Sequence, residues 1–181
     1  MEATVDLTQV EWRGRDGLPY RAVVNRAGAL VFKPVRRSVR DWVVWASGKS
    51  NYFISKFLNQ TFNAASFSFP GTLYAALWTS TLTAASTGST SGEASYTGYA
   101  RVAVTANTTN FPTSSGGAAI QNGTAITFAA NAGSLQTMTF FAILDASSTG
   151  NILYWGSITS TAINPGDTPQ VNVNGLTVTE A

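Results

Sequence analysis

Beyond residue 72, apolar and polar positions show no helical period. Short runs rich in Val, Ile, Thr and aromatics are separated by Gly, Asn, Ser and Pro clusters. The pattern predicts strands near 72–79, 98–106, 118–129, 135–144, 151–160 and 169–179. The last is expected to break at Asn174-Gly175, a hairpin dipeptide between Val171-Asn172-Val173 and Leu176-Thr177-Val178. Between the first two strands, Thr83 to Thr97 carries little to bury and is predicted to be a long mobile surface loop. Ahead of the strands, Phe53, Ile54, Phe57, Leu58 and Phe62 recur at three- and four-residue spacing, with Ser55, Lys56, Asn59 and Gln60 on the other side. This predicts a helix capped by Asn51, with an apolar face that needs a sheet to cover it. Earlier still, residues 18–24 and 29–33 read as two strands joined by a turn at Asn25-Arg26-Ala27-Gly28. A lone hairpin is marginal in water, so this segment must lean on something else. The chain as a whole is predicted to be mainly β: an antiparallel β-sandwich, jelly-roll-like, preceded by a short helix and an extended N-terminal arm with a hairpin. The arm is placed at 1–50 and the sandwich domain with its leading helix at 51–181.

Composition sharpens this division. The 181 residues have room for one ordinary domain and an arm. Only 11% are charged, while 44% are apolar, so Ser, Thr, Asn and Gly stand where charge would usually be. Residues 1–60 hold ten basic residues against five acids, whereas 61–181 hold Arg101 alone against Glu93, Asp145, Asp167 and Glu180. The overall +2 therefore hides a basic first part and an acidic second part. No run of apolar residues is long enough for a membrane span, and the N-terminus lacks the basic segment and apolar core of a secretory signal.

Cysteine and histidine are absent. That removes thiolate nucleophiles, disulfides, Cys/His zinc sites and imidazole bases. Asp167, in Asn164-Pro165-Gly166-Asp167-Thr168, and Asp145, which opens another turn, read as turn-capping carboxylates. A glycosidase would need two carboxyl groups held roughly 5–9 Å apart on a rigid scaffold. There is no phosphate-binding loop, dinucleotide fingerprint or closely spaced Asp run for calcium. The expectation is a protein that is not an enzyme and holds no cofactor or metal.

The most suggestive cluster is Lys33, Arg36, Arg37 and Arg40 followed by Trp42 and Trp45. Basic residues beside aromatics suit nucleic acid, through phosphate contacts and base stacking. They also suit docking on an acidic protein surface, with arginines pairing carboxylates and tryptophans filling pockets. The low overall charge and the number of aromatics favour docking, with Trp12 and Phe32 as further contacts. In the second part, Phe53, Phe57, Phe62, Phe67 and Phe69 exceed what one small sandwich readily covers, so contacts between subunits are expected around them.

Several segments then occur in a telling order: Tyr52 to Phe62, Pro70-Gly71-Thr72-Leu73-Tyr74-Ala75-Ala76-Leu77-Trp78-Thr79, Gly98-Tyr99-Ala100-Arg101-Val102-Ala103-Val104, Phe140-Phe141-Ala142-Ile143-Leu144-Asp145, Asn151-Ile152-Leu153-Tyr154-Trp155-Gly156 and Asn164-Pro165-Gly166-Asp167-Thr168. From Asn51 onward this order resembles a family of small tailed-bacteriophage virion proteins, described as tail-fibre-like or minor structural proteins. The first 50 residues fall outside the resemblance. It implies a non-enzymatic β-rich module made in the host cytoplasm and built into the virion among other virion proteins, as a homo-oligomer with a trimer favoured. No membrane is implied, and nucleic acid is not the expected partner. The leading expectation is a tail-fibre or tail-tip subunit anchored by its N-terminal arm. The alternative is a capsid decoration, or cement, protein whose arm clamps capsid subunits. A third reading is a carbohydrate-binding module that uses Trp78 or Trp155 as stacking platforms, set against the expectation that both are core.

Overall fold

The computed structural model describes residues 11–13, 19–24, 30–34, 39–46, 48–112 and 119–179, and before Trp42 only the backbone pairing. The chain forms two compact units, residues 1–37 and 38–181. In the first, β1 (Glu11–Arg13), β2 (Pro19–Val24) and β3 (Leu30–Pro34) make a three-stranded antiparallel sheet in that order. β2 and β3 are the expected hairpin, in register from Tyr20 opposite Pro34 to Val24 opposite Leu30. The support that a hairpin needs comes in part from β1, whose Trp12 lies opposite Tyr20.

The second unit is a β-sandwich. Its five-stranded sheet has the order β5 (Gly48–Lys49), β11 (Ile152–Ile163), β10 (Gln136–Leu144), β6 (Thr72–Trp78), β7 (Val102–Thr105). Its four-stranded sheet runs β4 (Val39–Ala46), β12 (Thr168–Thr179), β8 (Ala119–Gln121), with β9 (Ile126–Thr127) also pairing β12. Leu77, Phe141, Ile143 and Ile158 of the first sheet pack with Trp42, Val44, Val171 and Leu176 of the second in one core. Phe128 adds an edge-on contact to Trp42 with ring centroids 6.4 Å apart.

Residues 39–49, assigned to the arm by sequence, are thus strands of this unit, which begins at Ser38. Along β4, Trp42, Val44 and Ala46 point inward while Val43 and Trp45 point out, the alternation of a half-buried strand. The basic run just before it concealed that pattern. Among the described residues, β4 with β12 is the one parallel pair, from Val39 opposite Thr168 to Ala46 opposite Val178. First and last strands cannot be joined by a hairpin, so no turn signal announces this pair.

The outer face of the five-stranded sheet is covered too. Ala76, Trp78, Ala142, Leu144 and Ile152 form a second cluster with Leu82. This explains the continuous apolar run Phe140–Leu144, since a strand buried on both faces loses its alternation. Part of the cover comes from the segment predicted to be mobile. Thr83–Thr97 is instead a folded loop: Ala94 and Tyr96 join the core between the sheets, Trp78 bridges Glu93, and Ala94 donates its N–H to Leu77 at 2.8 Å. The Trp78 indole N–H reaches the Thr90 carbonyl at 3.2 Å. Small polar residues stay ordered here because their backbone groups are tied down at both ends.

Two turn readings are also corrected. The segment 118–129 is not one strand: β8 and β9 flank Asn122-Gly123. Nor is Asn174-Gly175 a hairpin, because β12 runs through it with a bulge between Val171 and Leu176. Asn174 takes the left-handed φ of 60° that made the dipeptide resemble a turn. Buried Asn122 fills the bulge. Its Nδ2 donates to the carbonyls of Thr124 and Asn172 at 2.8 and 2.7 Å, and its Oδ1 accepts the Leu176 N–H at 2.8 Å. A hairpin would leave those bulge groups without this partner.

Candidate functional site

α1 (Asn51–Phe62) begins one residue earlier in its cap than the sequence suggests: Ser50, not Asn51, is the N-cap, and its Oγ accepts the Phe53 N–H at 3.1 Å. The same hydroxyl donates to the Ile152 carbonyl. Ser50 N–H bonds Leu153 O at 3.2 Å, and Asn51 N–H bonds Ala84 O at 2.7 Å. One end of the helix is therefore clamped to β11 and to the folded loop. At the other end Asn63 and Ala65 donate back to Asn59 O, and Ala64 turns the chain out with φ 50°.

Of the apolar face, only Phe53 is buried. Its ring meets Tyr154 at 5.2 Å, Phe67 at 6.2 Å and Phe69 at 6.3 Å. Phe53 therefore anchors the helix to its own chain. Phe67 is half-buried against Phe69, at 4.8 Å. The remaining face stays open: Phe62 is 78% exposed, Phe69 57% and Phe57 56%, beside the exposed Ile54 and Leu58. No sheet of this unit covers it. The only charged side chain on α1 is Lys56, whose ammonium sits 5.5 Å from the Tyr52 ring centre.

Two grooves flank this face and share Phe53, Phe69 and Tyr154. One, of about 650 Å³, runs along Ile54, Phe57 and Leu58. The other, of about 420 Å³, opens at the end of the sandwich between the sheets, with Leu73, Ile143 and Val178 at its apolar wall and Thr108 and Phe111 at its rim. Ile54, Leu58 and the rim residues were not singled out as contacts by sequence. The helical spacing did contain the first two, but nothing marked the rim, a turn that follows β7.

The docking residues divide differently. Trp42 is 4% exposed in the sandwich core and is withdrawn as a docking contact. Trp45, two residues on, is 61% exposed, with Val43 on the same outer face. Trp12, Phe32 and Lys33 lie on strands of the first unit, and Arg40 lies on β4 opposite Pro169, with their side chains outside the described residues. Arg36 and Arg37 lie outside the described residues altogether.

Titratable groups of the sandwich are committed to structure. Asp145 accepts the Asn151 backbone and side-chain N–H groups at 2.7 and 2.8 Å, and Asp167 does the same for Asn164 at 2.9 and 3.0 Å. Both cap turns, as their sequence context indicates. Burial raises the Tyr96 hydroxyl to about 12 and pushes Tyr99 up as well. Trp78 is fully buried and offers no stacking face to a sugar; Trp155 is half-buried. No helix among the described residues is long and apolar enough to cross a membrane.

No curated protein matches the chain at a significant level. A family model described as podophage GP4 fiber I protein gp80 matches residues 48–179, from β5 through α1 and the aromatic segment to the end of β12. Because this match takes in well over half of the sequence, the chain belongs to that podophage fibre family and is a structural protein of the virion, not an enzyme.

Proposed function

We propose that the protein is a tail-fibre or tail-tip subunit, attached to the particle through residues ahead of the sandwich and self-associated, as a trimer, around its aromatic segment. The observation that carries this reading is the division of the chain. The family match begins at residue 48, and a separate compact unit precedes Ser38. That unit holds seven basic residues against four acids, a charge suited to an acidic neighbour in the particle. Trp12, Phe32, Lys33, Arg36 and Arg37 are its proposed contacts, joined by Arg40 and Trp45 on β4. The exposed phenylalanines Phe57, Phe62 and Phe69 support self-association, because contiguous apolar patches of this kind mark interaction surfaces.

Replacing Lys33, Arg36, Arg37 and Arg40 together by Ser tests the attachment. Incorporation into particles should fall, because partner carboxylates lose charge-assisted bonds. Binding to free DNA should be negligible before and after. Normal incorporation of the variant, together with salt-sensitive DNA binding by the unaltered protein, would replace docking by nucleic-acid binding.

A further inference from the structure

The open helix face and the cleft beside it are complementary in kind. Phe62 is the most exposed large apolar side chain among the described residues, and it lines neither groove of its own chain. The sandwich-end cleft, about 420 Å³ and walled by Leu73, Ile143 and Val178, is lined also by the rings of Phe53, Phe69, Phe111 and Tyr154, an apolar setting for a further aromatic side chain. We infer that the groove between α1 and the sandwich end holds α1 of a second copy of this chain, with Phe62 of that copy entering the cleft beneath Phe111 and Thr108. This rests on the self-association proposed above and adds to it the site and the geometry of contact.

Two further observations select a second copy over another occupant. The first is charge. The helix offers one cation, Lys56, already drawn over Tyr52, and neither an acid in its first turn nor a base in its last. Lys49 is the one charged residue lining either groove and is itself engaged, so a strongly charged partner would find little to pair with, whereas two faces whose lining is otherwise uncharged meet with little repulsion. The second is area. Aromatic side chains carry about 150–250 Å² each, so the exposed parts of Phe57, Phe62, Phe69, Ile54 and Leu58 amount to several hundred Å². That is a large share of the roughly 800 Å² each partner contributes to a stable interface. Helix-in-groove contacts use anchors at i, i+3, i+4 and i+7; Ile54, Phe57 and Leu58 provide the first three, and Phe62 follows one turn beyond Leu58.

The absence of cysteine makes the test clean, since any introduced thiol is unique. Full-length chains carrying Phe62→Cys and full-length chains carrying Thr108→Cys are mixed and treated with a short flexible bis-maleimide. Crosslinked pairs joining the two different variants are the expected product. Phe62→Ser should weaken association at least about tenfold by sedimentation, while the melting curve of the dissociated chain at high dilution is unchanged because the ring adds nothing to the core. Val43→Ser should leave association as it was. Crosslinks confined to Phe62 with Phe62, or association untouched by Phe62→Ser, would overturn the groove while leaving self-association standing. A full-length protein that stays monomeric at micromolar concentration, with or without a small apolar molecule in the cleft by native mass spectrometry, would overturn both.

Discussion

Glu93 and Arg101 form a two-pronged ion pair, with Nε–H donating to one carboxylate oxygen at 2.7 Å and an Nη2–H to the other at 2.8 Å. The guanidinium is 3% exposed and directs its other N–H groups to the carbonyls of Gly88, Ala146 and Thr149 at 2.8, 2.9 and 2.8 Å. All five donors of the side chain are satisfied. Arg101 is the only cation in the second part of the sequence, and it ties the 79–97 loop to the 145–151 turn across the covered face of the five-stranded sheet. The hydrogen bond to Glu93, more than any other influence, holds it ionised.

Arg101→Lys should therefore be costly despite keeping the charge, because an ammonium cannot reproduce five directed donors. Removing one partner of such a buried pair costs about 3–5 kcal/mol. Urea unfolding of Arg101→Ala at neutral pH should show a loss in that range, with Arg101→Lys close behind. If both variants unfold like the parent, the loop does not depend on this pair.

Gly156 lies where β11 passes β4. A Cβ at this position would be 2.0 Å from the Trp45 carbonyl oxygen and 3.1 Å from Ala46 Cα. Both are backbone atoms and cannot rotate aside. Gly156→Ala should destabilise by about 2–3 kcal/mol through forced separation of the strands. Gly166→Ala is the comparison: it has open space around it but a φ of 88°, so its cost is the backbone strain alone, about 1–2 kcal/mol. Thermal melts of the two variants should rank in that order.

Truncation separates the two units at a definite residue. A chain beginning at Ser38 keeps β4 and its core residues Trp42, Val44 and Ala46. It should melt cooperatively. A chain beginning at Asn51 loses them, together with β5 on the edge of the other sheet. Removing a buried Trp and Val alone costs about 5 kcal/mol, comparable to the whole stability of many domains. Circular dichroism of the shorter chain should show no cooperative transition.

Stability should fall on the alkaline side. Tyr96 is held neutral in the fold by burial, titrating near 12, and Tyr99 is raised also, burial being the main cause. Unfolded tyrosines ionise near 10. Their contribution is fully present below that pH and is lost as pH rises toward 12, because the unfolded chain then binds fewer protons than the folded one. Tyr96→Phe should flatten this fall while leaving the behaviour near pH 7 changed only by the lost bond to Ala129 O, 3.1 Å long. A denaturation midpoint independent of pH between 9 and 11 would contradict the assignment.

What the sequence determined by itself is local. Alternation and turn residues located β2, β3, β6, β7, β10, β11 and β12; the three-and-four spacing located α1; and the turn contexts of Asp145 and Asp167 predicted their caps. Each of these follows from groups a few residues apart. The order of segments from Tyr52 to Thr168 was enough to indicate a phage fibre family before any packing was known.

Only the tertiary structure decided which faces are covered. Alternation sorts side chains onto two faces but does not say what lies over either. Trp42 and Trp45 look alike in sequence, yet one is core and the other faces outward, because β12, from the far end of the chain, pairs with β4. Thr83–Thr97 looks unable to fold, because it is held by an arginine outside it and by the sheet beneath it. The apolar face of α1 looks destined for a sheet, but one face of the five-stranded sheet packs on the opposite sheet and the other carries its own apolar cluster with Leu82. Long-range closure fills the sandwich from within, and Phe57, Phe62 and Phe69 are left on its outside.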